Sequence, residues 1–93
     1  MTRGDVIARV EAAHGAGMRP DLSRLDLHGL DLSGIDLRCA DIRESNLSCA
    51  DLRGANFYGA DLFGTNLVGA NFYGANLGGA LAPGLLVVDG LPS

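Results

Sequence analysis

From Pro20 to Gly79 the apolar positions recur at every fifth residue, through twelve consecutive blocks without an insertion or a deletion. Written as i−2 to i+2, each block is centred on a large apolar residue: Leu22, Leu27, Leu32, Leu37, Ile42, Leu47, Leu52, Phe57, Leu62, Leu67, Phe72 and Leu77. The residue before each centre is Asp or Asn: Asp21, Asp26, Asp31, Asp36, Asp41, Asn46, Asp51, Asn56, Asp61, Asn66, Asn71 and Asn76. Position i−2 holds Ala40, Ala50, Ala55, Ala60, Ala70 and Ala75, with the larger Leu25, Leu30 and Ile35 earlier and Ser45 and Thr65 as small polar variants. Position i+2 is mostly Gly.

A period of five fits neither the 3.6 of a helix nor the 2.0 of a flat strand, so no ordinary amphipathic element keeps all the centres on one side. The chain must turn once per block. If every turn has the same sense, four blocks close a square and the chain winds into a solenoid with about twenty residues per coil, which buries its apolar face only by stacking on its neighbours. Residues twenty apart then stack in four inner columns: Leu22, Ile42, Leu62; Leu27, Leu47, Leu67; Leu32, Leu52, Phe72; and Leu37, Phe57, Leu77. Each Phe is flanked in its column only by Leu, and the two fall in different columns, which suits a narrow interior.

The ends break the pattern. In residues 1–19, Thr2-Arg3-Gly4-Asp5 fits a capping box, and Val6, Ile7, Val10 and Ala13 follow at helical spacing until Gly15 and Gly17. A helix of about twelve residues is marginal alone in water, so it needs a surface. The open first coil supplies one: Leu25, Leu30 and Ile35 fill space beneath a cap, and an uncovered first coil leaves a strand edge open to pairing. In residues 80–93, Leu81 stands where Asp or Asn belongs, and Leu85, Leu86, Val87, Val88 and Leu91 form an apolar tail. That tail is expected to cover the last coil, to meet a second copy, or to lead into a further segment.

The A(D/N)LxG blocks, such as Ala50-Asp51-Leu52-Arg53-Gly54 and Ala60-Asp61-Leu62-Phe63-Gly64, resemble the pentapeptide-repeat family over 60 of the 93 residues. The resemblance implies an all-β solenoid, a right-handed quadrilateral β-helix, here of about three coils with a short N-terminal capping α-helix. It implies little about activity. The best understood members resemble duplex DNA in shape and charge and act on DNA gyrase, protecting it from quinolone drugs.

Charge narrows the function classes. The formal net charge is −4, the chain has no Lys, and no basic patch of the kind a nucleic-acid binder shows is present. Residues 1–19 carry three Arg against Asp5 and Glu11, the repeats carry eight acids against four Arg, and after Asp61 the one charged side chain is Asp89. No apolar run is long enough to span a bilayer, and Met1 to Pro20 lacks a signal-peptide core, so a cytoplasmic location without membrane contact is expected.

Candidate chemistry is sparse. His28 stacks over Ser48 with Asp26 two residues before it, but a hydrolase needs a pocket and oxyanion donors, whereas these groups belong on a flat outer wall. Cys39 and Cys49 lie half a coil apart, too far for a disulfide and without the His of a zinc site. The column Asp21, Asp41, Asp61 invites a metal, yet short Asx side chains commonly bond local backbone at turns, and Asn keeps that role without the charge. No catalytic, metal or cofactor site is expected.

The outer i+1 positions change character along the chain. Ser23, His28, Ser33, Arg38, Arg43, Ser48 and Arg53 give way to Tyr58, Phe63, Val68 and Tyr73, which fall on four different sides as a belt. Aromatic residues are enriched at interface cores. The reading is a non-catalytic structural or protein-interaction module whose partner is an unidentified protein or a second copy, with Leu85, Leu86, Val87, Val88, Tyr58, Phe63 and Tyr73 as interface candidates. The alternative is a gyrase-directed DNA mimic using Asp21, Asp41 and Asp61. Three coils stacked at about 4.8 Å make a rod of roughly 14 Å, beside which duplex DNA presents about eight phosphates. The repeats supply a net −4, from four Arg against eight acids, so mimicry is expected only of a dimer.

Overall fold

The computed structural model describes residues 1–81. One helix, α1 (Arg3–Gly15), precedes a ladder of parallel bridges that pair every Asx position with the residue twenty further on, from Asp21 with Asp41 to Asp61 with Leu81. Five residues per block and twenty per step give four sides to each turn. We number the sides by the blocks of the first turn: side 1 is centred on Leu22, side 2 on Leu27, side 3 on Leu32 and side 4 on Leu37.

The ladder is built from two interleaved sets of bonds. Leu22 N–H donates to the Asp41 carbonyl at 2.8 Å, and Asp41 N–H donates back to the Pro20 carbonyl at 2.8 Å. The same pair recurs on each side, as Leu32 to Asp51 and Asp51 to Leu30 on side 3. A third bond, from i+2 to the i+1 carbonyl one turn on, closes each corner of the first two turns, as in Gly54 N–H to Tyr73 at 3.0 Å.

The corner itself requires a left-handed residue. All twelve i+2 positions have positive φ, from 55° at Arg24 to 74° at Gly74. Eight are Gly, which reaches this region at no steric cost, while Arg24, Cys39, Glu44 and Cys49 reach it against one. Stacking adds a second demand at Gly69, where an added Cβ would lie 3.2 Å from the Cys49 sulfur.

Inside the square the four expected columns form. Eleven of the twelve centres are buried, and Leu77, in the last block, is half-buried against the same core. The alanines at i−2 are buried beside them from Ala40 to Ala70. Phe57 and Phe72, though in different columns, meet across the interior with ring centroids 5.4 Å apart and planes tilted by 50°. Such a tilted contact is favourable for two aromatic quadrupoles. The periodicity places each ring in its column but does not reveal that they touch.

The polar variants at i−2 are also accounted for. Ser45 is buried, accepts from Leu25 N–H at 3.0 Å and donates to the Leu22 carbonyl, while Thr65 donates to the Ile42 carbonyl at 2.6 Å. A hydroxyl on this corner thus ties one turn to the one before it.

Helix α1 starts as its sequence predicts. Asp5 N–H donates to the Thr2 hydroxyl at 3.2 Å and Thr2 N–H donates to the Asp5 carboxylate at 2.8 Å, a reciprocal cap. It ends with Gly17 at φ 70°, where Met18 N–H reaches the Ala13 carbonyl at 2.8 Å. Val6 and Val10 are buried in the same core as the first turn, with Ile7 partly buried against it.

Two outcomes are expected from this architecture. Leu52→Asp puts an unpaired charge in a fully buried column and should cost several kcal/mol, whereas Asn66→Asp keeps the turn bond at an exposed position and should stay within about 0.5 kcal/mol, both read by chemical denaturation. Cys49→Gly removes a left-handed L-residue, worth about 1–2 kcal/mol, against about 0.5–1 kcal/mol of added chain entropy. It should therefore raise the unfolding midpoint slightly; a lower midpoint would show that the thiol's packing outweighs the strain.

Candidate functional site

The acidic column forms, but its carboxylates are already occupied. In all twelve blocks the Asx Oδ1 accepts the backbone N–H two residues on, at 2.9 to 3.3 Å. Asp and Asn serve this bond alike, which is why the two alternate along the ladder. The bond fixes the turn that the following left-handed residue completes.

Asp21, Asp41 and Asp61 stack on side 1 as successive ladder members. Arg43 lies across the upper two, with Nε and Nη2 each 2.8 Å from Asp41 and Nε 3.8 Å from Asp61. That guanidinium holds the Asp41 carboxyl down at about 2, and Arg53 does the same to Asp51. Asp21 is lowered by the Ser23 hydroxyl, 2.7 Å away, and by the Ser23 backbone N–H. Of the eight repeat carboxylates, seven lie within 4.0 Å of an arginine or histidine nitrogen: Asp26, Asp31, Asp36, Asp41, Glu44, Asp51 and Asp61. The side 1 column, three carboxylates against Arg43, therefore presents a net charge of −2 at neutral pH.

The His28 constellation is only half assembled. Its Nδ1 lies 2.6 Å from Asp26, but both side chains are about two-thirds exposed, and Ser48 bonds Asn46 through its backbone N–H, not the imidazole. Cys39 and Cys49 are exposed free thiols. An open groove of about 480 Å³ runs between α1 and side 4, lined by Arg3, Ile7, Val10, Glu11, His14, Ile35, Asp36 and Arg38 among others. Arg3, His14 and Arg38 are engaged there with Asp31, the Arg38 carbonyl and Asp36.

The outer wall shows an arrangement that the linear sequence conceals. On sides 4, 1 and 3 an Arg stands one turn before an aromatic residue in the same outer column: Arg38 before Tyr58, Arg43 before Phe63, and Arg53 before Tyr73. Each Arg folds onto the Asp of its own block, at 2.8 Å through Nε. The aromatic residues are left exposed: Tyr58 by 57%, Phe63 by 59% and Tyr73 by 72%, with Val68 at 63% on side 2. Leu81, which replaces the Asx of the next block, is exposed by 62%. Tyr58 leans over Gly78, where an added Cβ would sit 3.2 Å from the ring, so the last outer position is kept free of a side chain.

Tyr58, Phe63, Val68 and Tyr73 thus form the expected belt. Leu85, Leu86, Val87 and Val88 lie outside the described residues. What sequence reasoning missed is the pairing within blocks: an Asp and an Arg two apart sit side by side on a wall, a juxtaposition readable from the period alone. Among the described residues no helix is long and apolar enough to cross a membrane.

Comparison with known proteins agrees with this geometry. The family model for pentapeptide repeats, in 8 copies, matches residues 21–59 and 40–79. A crystallised pentapeptide repeat protein from Nostoc Pcc 7120 is 31% identical with a TM-score of 0.56, over 81% of this chain and 73% of that one. One from the thylakoid lumen of Arabidopsis thaliana is 28% identical with a TM-score of 0.51, over 64% of this chain and 59% of that one. No curated protein matches the chain. With more than half its length matched by the family model, the chain belongs to the pentapeptide repeat family and folds as the right-handed β-helical solenoid of that family.

Proposed function

We propose that the chain is a non-catalytic interaction module: a rod of about three coils, closed at its N-terminal end by α1, that offers the belt of Tyr58, Phe63, Val68 and Tyr73 to a protein partner or a second copy. The observation that carries this reading is the contrast between the two ends of the wall. Toward the N-terminal end the outer side chains are Ser, His and Arg, most of them tied to the Asp of their own block. Toward the other end they are large, apolar and mostly exposed, and Asp61 is the last charged side chain among the described residues. Aromatic residues are enriched at the cores of protein interfaces.

The belt runs over all four sides, so a flat partner covers one or two of these residues and a partner that embraces the end of the rod covers them all. The double substitution Phe63→Ser with Tyr73→Ser should leave circular dichroism and melting unchanged, because both side chains point outward. It should abolish self-association measured by light scattering, or, if the wild type is monomeric, remove the higher-mass complex seen when native extract is fractionated. A wild type that is monomeric in both settings and indistinguishable from the double variant would end this reading.

The stacked column Asp21, Asp41, Asp61 supports a second reading, a gyrase-directed DNA mimic. Its net −2 is small against the phosphates of a duplex of equal length, and Arg43 lies between two of its three acids. The expected outcome of a gyrase supercoiling assay is no inhibition by the wild-type chain. Inhibition that disappears when all three become Asn, which preserves the turn bonds, would overturn that expectation and favour mimicry.

A further inference from the structure

The ladder does not stop with the third turn. Leu81 N–H donates to the Ala60 carbonyl at 2.9 Å and the Leu81 carbonyl accepts from Leu62 N–H at 2.7 Å, so the chain enters a fourth turn on side 1 in register. The second turn shows which groups a following turn engages. Glu44, Leu47 and Cys49 donate their N–H to the Phe63, Asn66 and Val68 carbonyls at 2.8 to 3.0 Å, and the Ser45 carbonyl accepts from Asn66 N–H at 2.9 Å. Their counterparts in the third turn are the N–H groups of Gly64, Leu67 and Gly69 and the Thr65 carbonyl, and no described residue pairs with any of them. The inner columns of this turn are also sealed unevenly. Leu62, Leu67 and Phe72, on sides 1 to 3, are exposed by 5% or less, whereas Leu77, on side 4, is only half-buried.

The residues that follow carry the block pattern forward in a form suited to a last turn. Counted in fives, Ala82 and Val87 fall at centres above Leu62 and Leu67, and Leu85 falls at the i−2 corner above Thr65. The first turn has Leu25 at that same corner and the turns between have Ser45 and Thr65, so both ends of the column are apolar. In the twelve complete blocks the i+1 N–H donates to the Asx Oδ1 at i−1. In the thirteenth both halves of that bond are lost together, since Leu81 has no side-chain oxygen and Pro83 has no N–H. Pro83-Gly84 is also the favoured central pair for a turn whose second central residue has positive φ, the turn that each corner makes. The chain's other prolines obey the same rule. Pro20 opens the first block at i−2, whose N–H elsewhere reaches the preceding centre, and Pro92 falls at a centre, whose N–H serves only a following turn.

From this we infer that residues 82–92 dock on the third turn as a fourth, incomplete one, an intramolecular cap laid over sides 1, 2 and 3 with Val87 inward and Val88 outward. Gly64, Leu67 and Gly69 then donate to the carbonyls of Pro83, Leu86 and Val88, and Leu86 N–H donates to the Thr65 carbonyl. Connectivity selects this occupant: a segment leaving Leu81 in register crosses sides 1, 2 and 3 before it reaches side 4, where Leu77 stays unsealed. Tethering favours it over a strand from another molecule, because its effective concentration is on the order of millimolar. The ladder of a second copy therefore cannot continue this one on those three sides. On the outer wall Pro83 and Val88 extend the columns of Phe63 and Val68, so sides 1 and 2 carry apolar rows two residues deep and are the faces a partner of the belt meets first. That consequence rests on the belt reading above, whereas the cap does not.

The test is amide exchange by NMR on the full chain. The Leu67 and Gly69 amides should be protected in the wild type, and equally so after about tenfold dilution. Val87→Asp, which sets a carboxylate over Leu67, should speed their exchange at least about tenfold while the Leu47 and Cys49 amides, one turn further in, stay protected. Val88→Asp, one residue on and outward, should leave all of these amides unchanged. Leu86→Asn supplies the Asx acceptor for Val88 N–H and should slow exchange at Leu67 and Gly69. Freely exchanging Leu67 and Gly69 amides in the wild type, equal responses to the two Asp variants, or no gain from Leu86→Asn would overturn the inference. Protection that falls on dilution would overturn it too, by assigning the edge to a second copy. None of these readouts depends on association through Phe63 and Tyr73, so failure of the cap and failure of the belt are told apart.

Discussion

A chain that turns at every fifth residue has to place one residue of each block in the left-handed region, and the rest of this structure depends on how that demand is met. The bond that the backbone N–H two residues on donates to the Asx side chain prepares the corner, and the positive φ that follows completes it. Once both recur with the same sense, the ladder register, the inward direction of the centres and the stacking of outer side chains are consequences. Four blocks depart from Gly at the corner, and at two of these the side chains answer each other: Arg24 and Glu44, stacked one turn apart, form an ion pair at 3.0 Å. Both are largely exposed, so the pair offsets little of the backbone cost.

The same geometry decides what the charges can do. An Asp at i−1 and an Arg at i+1 project from one side of one block, a few ångströms apart, and they find each other on sides 1, 3 and 4. Acidity counted along the sequence thus overstates the field that a partner meets. Most carboxylates answer a turn N–H and a nearby cation at once. What remains for recognition is the apolar belt and the backbone of the first turn, where the ladder has no preceding turn to pair with.

Much of this was legible in the sequence. The fivefold period in Leu22 through Leu77 identified the inner columns, the Thr2 to Asp5 spacing identified the helix start, and the interchange of Asp and Asn pointed to a turn bond. The contact between Phe57 and Phe72 was hidden because a column assignment says nothing of how far a ring reaches across the interior. The way α1 is held was hidden for a related reason. Helical spacing shows which residues of α1 are apolar, but not that Arg3, Arg9 and His14 reach carbonyls of the first turn. Nor does the sequence identify a partner, since any protein with suitable apolar residues can meet such a belt.

The bridge step of twenty has a consequence for how such a chain can grow. Loss or gain of a single residue within the ladder would rotate every later centre away from the interior, and a change of five would move every later column to the adjacent side. Only a step of twenty leaves each side chain above the same neighbours, with Asp21 over Asp41 and Asp41 over Asp61. In genetic terms the unit of elongation is twenty codons, a full turn copied in tandem, and the rod can lengthen by that unit without new requirements on the interior.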